Sequence, residues 1–121
     1  MKVRCIKLLD ELTGSYLEHS PWLSIGKTYT VLSINLRHGS LGKFQLISDD
    51  HDTPTYHNSN QFEIVSQNIP KSWIIDFEAD SHFSLAPKAW SEPGFLEAYF
   101  DGEPEAIKLF NTEKDIIFNE D

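Results

Sequence analysis

The stretch Trp22-Leu-Ser-Ile-Gly-Lys-Thr-Tyr-Thr-Val-Leu-Ser-Ile34 decides the fold. It begins with a turn signal at 24–27, where Gly26 can take a positive φ before the chain becomes extended. Its residues then alternate, with Thr28, Thr30, Leu32 and Ile34 on one side and Tyr29, Val31 and Ser33 on the other. Alternating β-branched and aromatic residues are typical of a strand with two unlike faces. The pattern predicts a strand from Lys27 to Leu36.

Four further strands are predicted around this one. They are Lys2 to Leu9, Lys43 to Ile47, Thr55 to His57 and Phe62 to Val65. The first is followed by a long polar loop, Asp10 to Leu23, which contains Tyr16 and Trp22. A loop of this length in a small domain usually has a function or folds back on the sheet. The five strands together predict a small, curled antiparallel barrel.

Composition favours a folded domain with a real core. The chain has 121 residues, of which 40% are apolar and 12% aromatic, whereas disordered chains are usually poor in aromatic residues. The single cysteine, Cys5, lies in an apolar strand and is predicted to be a buried, inert thiol. Charges interrupt the apolar N-terminus, and no window resembles a membrane span. We therefore expect a cytoplasmic protein that does not act on a membrane.

The acidic charge is concentrated in the last part of the chain. Residues 1–68 carry six Lys or Arg and seven Asp or Glu, a balance of −1, whereas residues 69–121 carry four and twelve, a balance of −8. This asymmetry indicates either a basic partner or simply a solvated face. It argues against a nucleic-acid partner, because phosphates require Lys and Arg.

Residues 69–121 form an extension with its own pattern. Alternation over Ser72–Ala79 predicts an added strand or hairpin, and Pro87–Trp90 a short helical turn. An apolar stripe predicts a helix over Pro93–Phe100, ended by Gly102. A last helix is expected from Pro104, with a break at Asn111–Thr112. We expect a mainly β, α+β protein, with a barrel over 1–68 and the acidic extension packed on it as one structural unit.

No residue pattern encodes a recognisable chemistry. Asp49-Asp50-His51-Asp52 with His57 has metal-ligand types, but neither EF-hand order nor zinc spacing, so a solvated hairpin turn is expected. The remaining histidines, His19, His38 and His82, fall in predicted loops without a nucleophile motif.

The carboxylate pairs Asp76/Glu78 and Glu97/Asp101 are explained by the acidic composition alone. The segment 39–42 lacks the Lys of a phosphate loop. We predict no catalytic residue, no metal and no cofactor.

Three segments of the first part resemble SH3-like barrels: Leu23-Ser-Ile-Gly-Lys-Thr-Tyr-Thr-Val-Leu, the Phe44-Gln-Leu-Ile-Ser-Asp-Asp run, and Gln61-Phe-Glu-Ile-Val. The resemblance covers about the first 68 residues and implies the fold rather than a function. Members that bind peptides present an aromatic groove to polyproline II ligands, which Tyr16, Trp22 and Tyr56 would form here. A core role for at least two of these aromatic residues is the competing interpretation.

The more specific interpretation of the acidic extension is a surface that binds a basic protein, in which aromatic residues lie among carboxylates and anchor the partner. The candidate partner-binding residues are Trp73, Asp76, Glu78, Asp80, Trp90, Glu92, Phe95, Glu97 and Asp101.

The barrel followed by Trp90-x-x-Pro-Gly-Phe-Leu-Glu-Ala-Tyr-Phe-Asp-Gly102 resembles the small acidic immunity proteins of bacterial polymorphic or contact-dependent toxin systems. Leu96 stands where those proteins have tryptophan. The resemblance implies a non-enzymatic inhibitor that covers a cognate basic toxin, such as a nuclease. The alternative is an SH3-like protein- or peptide-binding module of bacterial or phage origin, and an enzyme is the third possibility.

Overall fold

The computed structural model describes residues 1–50, 53–78 and 82–120. The strands in these ranges are β1 (Lys2–Cys5), β2 (Thr28–Thr30), β3 (Ser33–Arg37), β4 (Lys43–Ile47), β5 (Pro54–Asn58), β6 (Phe62–Ser66), β7 (Trp73–Glu78) and β8 (His82–Pro87). The helices are α1 (Phe95–Phe100) and α2 (Pro104–Glu120), and 3₁₀ turns cover Ser59–Gln61 and Lys88–Ser91.

The strands form two antiparallel sheets, ordered β2-β1-β6 and β5-β4-β3-β8-β7. The protein is therefore a mixed α+β fold in which strands dominate. The expected single barrel of five strands is not closed, because its strands are divided between the two sheets. Phe44 of β4 and Phe62 of β6 meet edge to face across the space between the sheets, with centroids 5.8 Å apart.

The predicted strand from Lys27 to Leu36 is in fact two strands. Val31 donates its N–H to Met1 O (2.9 Å), and Leu32 donates its N–H to Gln45 O (2.7 Å). The backbone thus changes from one sheet to the other between these two residues. Both side chains are fully buried, whereas a straight strand would turn one of them to the opposite face. The prediction of one continuous strand was wrong for this reason.

The other predicted strands are confirmed, with shifted ends. β4 matches its predicted range, β5 and β6 are slightly longer, and β1 ends at Cys5 instead of Leu9. β1 ends early because Ile6 and Lys7 both direct their N–H groups to Gln61 O. The predicted burial of Cys5 is confirmed, and this burial raises the pKa of its thiol.

The extension shares a sheet with the first part of the chain. β7 and β8 form the expected hairpin, and β8 also pairs with β3, where Leu85 lies opposite Ile34. Both helices are present, and the chain leaves α1 at Gly102 with a φ of 81°. The expected break in the last helix is wrong: α2 runs for 17 residues. Thr112 is accommodated because its hydroxyl donates to Lys108 O (2.9 Å) within the helix.

One buried cluster connects the sheets and the helices. It consists of Met1, Val3, Cys5, Leu8, Leu23, Tyr29, Val31, Leu32, Phe44, Leu46, Phe62, Trp73, Trp90, Phe95, Ala106, Phe110 and Ile117. α2 contributes Ala106, Phe110 and Ile117, spaced to form one stripe along the helix. The opposite side of α2 therefore remains on the surface, whereas α1 packs on the cluster and exposes only Glu97 and Phe100.

Candidate partner-binding surface

The three aromatic residues predicted to anchor a partner lie in the core. Trp73 is 8% exposed, Trp90 7% and Phe95 8%. The ring of Trp90 stacks on Phe110 with centroids 4.5 Å apart. This corrects the expectation that the three rings are presented among surface carboxylates. Large aromatic residues contribute to a core as readily as to an interface, so residue type alone did not separate the two roles.

The carboxylates of the candidate set are divided by the fold. Glu92, Glu97 and Asp101 are exposed before, on and directly after α1, respectively. Asp76 is half-buried in a cleft beneath the helices that also contains Arg37 and Trp90. Glu78 ends β7, and Asp80 lies outside the described residues. The structure therefore keeps the α1 carboxylates together but places Asp76 in a different environment.

The helical segment carries a run of negative charge. Residues 89–107 contain five Asp or Glu and no Lys, Arg or His. These five residues, which we call the acidic helical surface, are all exposed: Glu92, Glu97, Asp101, Glu103 and Glu105. Glu97 and Asp101 are four residues apart and so lie on the same side of α1. These carboxylates outnumber the two lysines that flank the run, Lys88 and Lys108, and the resulting net negative charge gives a field that attracts basic proteins.

An apolar groove adjoins these charges between α1 and α2. Phe95 and Leu109 line both halves of this helix groove, and Leu109 is a half-exposed side chain. Glu92, Glu113 and Lys88 border one half, and Glu105 and Lys108 border the other. The groove is thus an apolar strip whose border has three carboxylates and two lysines, and its net negative charge suits a basic amphipathic segment. Sequence reasoning missed Leu109, although its position beside the Ala106–Phe110 stripe was a usable signal.

A second groove lies between the long first loop and β5. Trp22 and Tyr56 line this aromatic groove of about 400 Å³, together with Asp10, Glu11 and His19. Two of the three aromatic residues expected for a polyproline-type groove are thus brought together, and both lie outside the core. Tyr16 is not among the lining residues, and it is 76% exposed.

The floor of the aromatic groove contains a buried histidine. His57 lies on β5, and its Nε2 is 2.7 Å from Thr55 Oγ1. Burial lowers the pKa of His57 below its ordinary value, and the nearby carboxylate of Glu11 partly opposes this shift. The neutral imidazole is therefore favoured in the folded protein.

The first acidic residue of the predicted metal-like run has a structural role. Asp49 accepts hydrogen bonds from Ser24 Oγ (2.7 Å), Lys27 Nζ (2.8 Å) and Tyr29 Oη (2.8 Å). Burial alone would raise the pKa of Asp49, but these donors hold it below its ordinary value. These hydrogen bonds connect Asp49, in the β4–β5 turn, to the end of the long loop and the start of β2.

The possible metal ligands do not converge. Among the residues that the structure describes, no group of three or more His, Cys, Asp and Glu side chains is arranged to hold a metal ion. His51 and Asp52, from the predicted hairpin turn, lie outside the described residues. Asp50 instead accepts hydrogen bonds from Ser48 and Thr53.

Comparisons with models of protein families, with curated proteins and with solved structures found no match for this chain. In the described part of the chain, no helix is long and apolar enough to cross a membrane.

Proposed function

We propose that this chain is a non-catalytic, protein-binding inhibitor, an immunity protein that acts in the cytoplasm and neutralises a cognate basic toxin. The observation that carries the proposal is the exposed, net negative charge of the acidic helical surface beside the apolar helix groove. Acidic surfaces raise the association rate with basic partners, and apolar contacts at the centre supply affinity.

A nuclease is the toxin class that this charge fits best. A nuclease binds phosphates through Lys and Arg, so its active-site surface is basic. Carboxylates at the positions of the phosphates would occupy that surface and exclude the nucleic-acid substrate. In this proposal, β1–β6 correspond to an SH3-like barrel that supports the helices.

The test is protection of growing cells. The toxic domain encoded by the gene upstream of this one would be expressed alone and with the chain. We expect growth only in the presence of the chain. The double substitution Glu97→Lys/Asp101→Lys should weaken binding to the purified toxin domain by about tenfold or more, mainly through the association rate. Absence of binding by the unaltered chain would refute the proposal.

A matched control is provided by the first part of the chain. Glu11→Lys/Glu18→Lys makes the same change in net charge at two exposed positions far from the helices in sequence. This variant should retain binding. If it loses binding while the α1 variant retains it, the contact lies at the aromatic groove.

The second candidate function is an SH3-like peptide-binding module. It is favoured by one observation, the placement of Trp22 and Tyr56 in a single groove with Glu11 at its border. Such a groove would take a proline-rich peptide with basic residues. A proline-rich peptide containing arginine should then bind the chain and lose affinity in Trp22→Ala. Unchanged tryptophan fluorescence and no heat of binding would exclude this function.

A further inference from the structure

The outer strand β7 has an unpartnered edge. β7 is the last strand in the order β5-β4-β3-β8-β7, and no other described strand pairs with its outer side. Trp73 donates its N–H to Pro70 O (3.2 Å), and Pro87 opposite it has no N–H to donate. Trp73 and Pro87 therefore form a non-hydrogen-bonded pair. Hydrogen-bonded and non-hydrogen-bonded pairs alternate along an antiparallel ladder, so the pairs of Ile75 and Phe77 with β8 are also non-hydrogen-bonded. Ile75 and Phe77 therefore direct their backbone N–H and C=O groups away from β8.

The same edge is unusually apolar. Ile75 is 64% exposed and Phe77 67%. In the sheet register, Ile75 lies opposite Leu85 and then Ile34, and Phe77 lies opposite Phe83 and then Leu36. Residues directly opposite each other in a sheet share a face. Six apolar side chains thus form a continuous patch across β3, β8 and β7: Ile34, Leu36, Ile75, Phe77, Phe83 and Leu85.

The patch exists because one sheet is wider than the other. On this face, Phe44 of β4 is covered through its contact with Phe62 of the three-stranded sheet. The five-stranded sheet continues beyond the three-stranded sheet toward β7, where the side chains of Ile75 and Phe77 are exposed. A free, apolar strand edge is a template for another strand.

We infer that β7 receives an extended segment of a basic protein partner, which adds to the sheet as a further strand. The segment would alternate apolar residues, placed beside Ile75 and Phe77, with Lys or Arg on the other face, beside Asp76. The charge favours this occupant over a second copy of the chain: β7 contains two acids and no base, and the net charge of −9 opposes self-association. The inference rests on the proposed function, since it names a second contact for the same partner.

The test uses a synthetic probe and needs no toxin. The probe is a nine-residue capped peptide that alternates valine and lysine, and its control replaces every lysine with glutamate. Each peptide would be titrated into the full-length, ¹⁵N-labelled chain and followed by amide chemical shifts. We expect saturable shifts at Ile75 and Phe77 with the lysine peptide, and at least tenfold weaker binding of the glutamate peptide.

Two substitutions locate the contact. Ile75→Pro removes an outward N–H and should abolish the shifts, because proline is tolerated on the free side of an edge strand. If that variant fails to fold, Ile75→Thr should weaken binding at least fivefold. The matched control is Ile64→Thr, a 50%-exposed position on β6 of the other sheet, which should bind like the unaltered chain.

Three results would overturn the inference: shifts confined to residues outside β7, equal binding of the two peptides, or a concentration-dependent dimer that is lost in Ile75→Thr. The last would assign the edge to a second copy.

The peptide test and the Glu97/Asp101 test are separable. The acidic-surface proposal can fail while the peptide still binds β7, and the peptide can fail while the acidic surface still binds a toxin.

Discussion

The indole Nε1 of Trp73 donates a 2.9 Å hydrogen bond to the backbone carbonyl of Leu32. The donor belongs to β7 in the acidic extension, and the acceptor lies where the chain passes between the two sheets. Both groups are buried, so the bond connects the extension to the point where the chain passes from one sheet to the other. Trp73 therefore has a structural role that its surroundings in sequence did not indicate.

Replacing Trp73 with Phe should destabilise the protein. The Leu32 carbonyl would lose its buried donor, which costs about 1–3 kcal/mol, and the smaller ring leaves space unfilled. Urea unfolding followed by circular dichroism measures the change. Trp22→Phe, at an exposed ring, is the control and should stay within about 0.5 kcal/mol. Equal midpoints for the two variants would contradict the assigned role.

Removing the charge of Asp49 should destabilise the long loop. Asp49→Asn keeps one acceptor oxygen but loses the Oδ2 acceptor of Ser24 and the charge that pairs with Lys27, at a cost of about 1–2 kcal/mol. The folded pKa of Asp49 is below its ordinary value of 3.8. Its contribution is therefore complete above that value and is lost as the pH falls through the folded pKa.

The measurement is thermal unfolding between pH 7 and pH 2. Asp49→Asn should show a smaller loss of stability below about pH 4 than the unaltered chain. Glu97→Gln, an exposed carboxylate on α1, serves as the control. An Asp49→Asn variant as stable as this control at pH 7 would show that the network is unimportant.

Stability should also fall in mild acid because of His57. Its folded pKa is lowered from 6.5 by burial, so the unfolded chain binds the proton more readily. The stability linked to neutral His57 is present above pH 6.5 and decreases as the pH falls below it. His57→Gln should flatten this dependence between pH 7 and pH 5.

Denaturant titrations at several pH values measure this slope. His38→Gln, at an exposed turn position, should leave it unchanged. A slope identical in the His57 and His38 variants would mean that His57 does not control the acid sensitivity.

The helix groove should contribute to partner binding through Leu109. Leu109→Thr removes half-exposed apolar surface between Phe95 and Glu113 and should weaken binding to the toxin domain by about tenfold, mainly through faster dissociation. Calorimetry or surface plasmon resonance measures this. Leu12→Thr, at the most exposed leucine of the long loop, is the control. Equal affinities for both variants would exclude the groove from the interface.

Local pattern predicted which segments become strands and helices. Local pattern located β4 through β7, and the positive-φ position at Gly102 correctly ended α1. It failed at Val31–Leu32 and at Asn111–Thr112. In the first case the backbone changes its pairing partner, and in the second the helix continues through Thr112 because Phe110 and Ile117 on either side of it are both buried in the core. Both outcomes depend on partners that a one-dimensional pattern does not contain.

The candidate site was predictable in charge but not in shape. The exposure of Glu92, Glu97 and Asp101 followed from their charge, because unpaired carboxylates rarely enter a core. The burial of Trp73, Trp90 and Phe95 and the exposure of Ile75 and Phe77 were not predictable. Trp73, Ile75 and Phe77 alternate along the same strand, β7, yet only Trp73 is buried.

The sequence by itself determined most strand and helix segments, the single buried thiol and the concentration of acid after residue 68, since these depend on neighbouring residues and composition. Only the tertiary structure decided which apolar side chains the second sheet covers. The face of the sheet at β7 stays exposed because the five-stranded sheet is wider than the three-stranded sheet that packs on it. Burial depends on what packs opposite a residue, and that partner is set by the path of the whole chain.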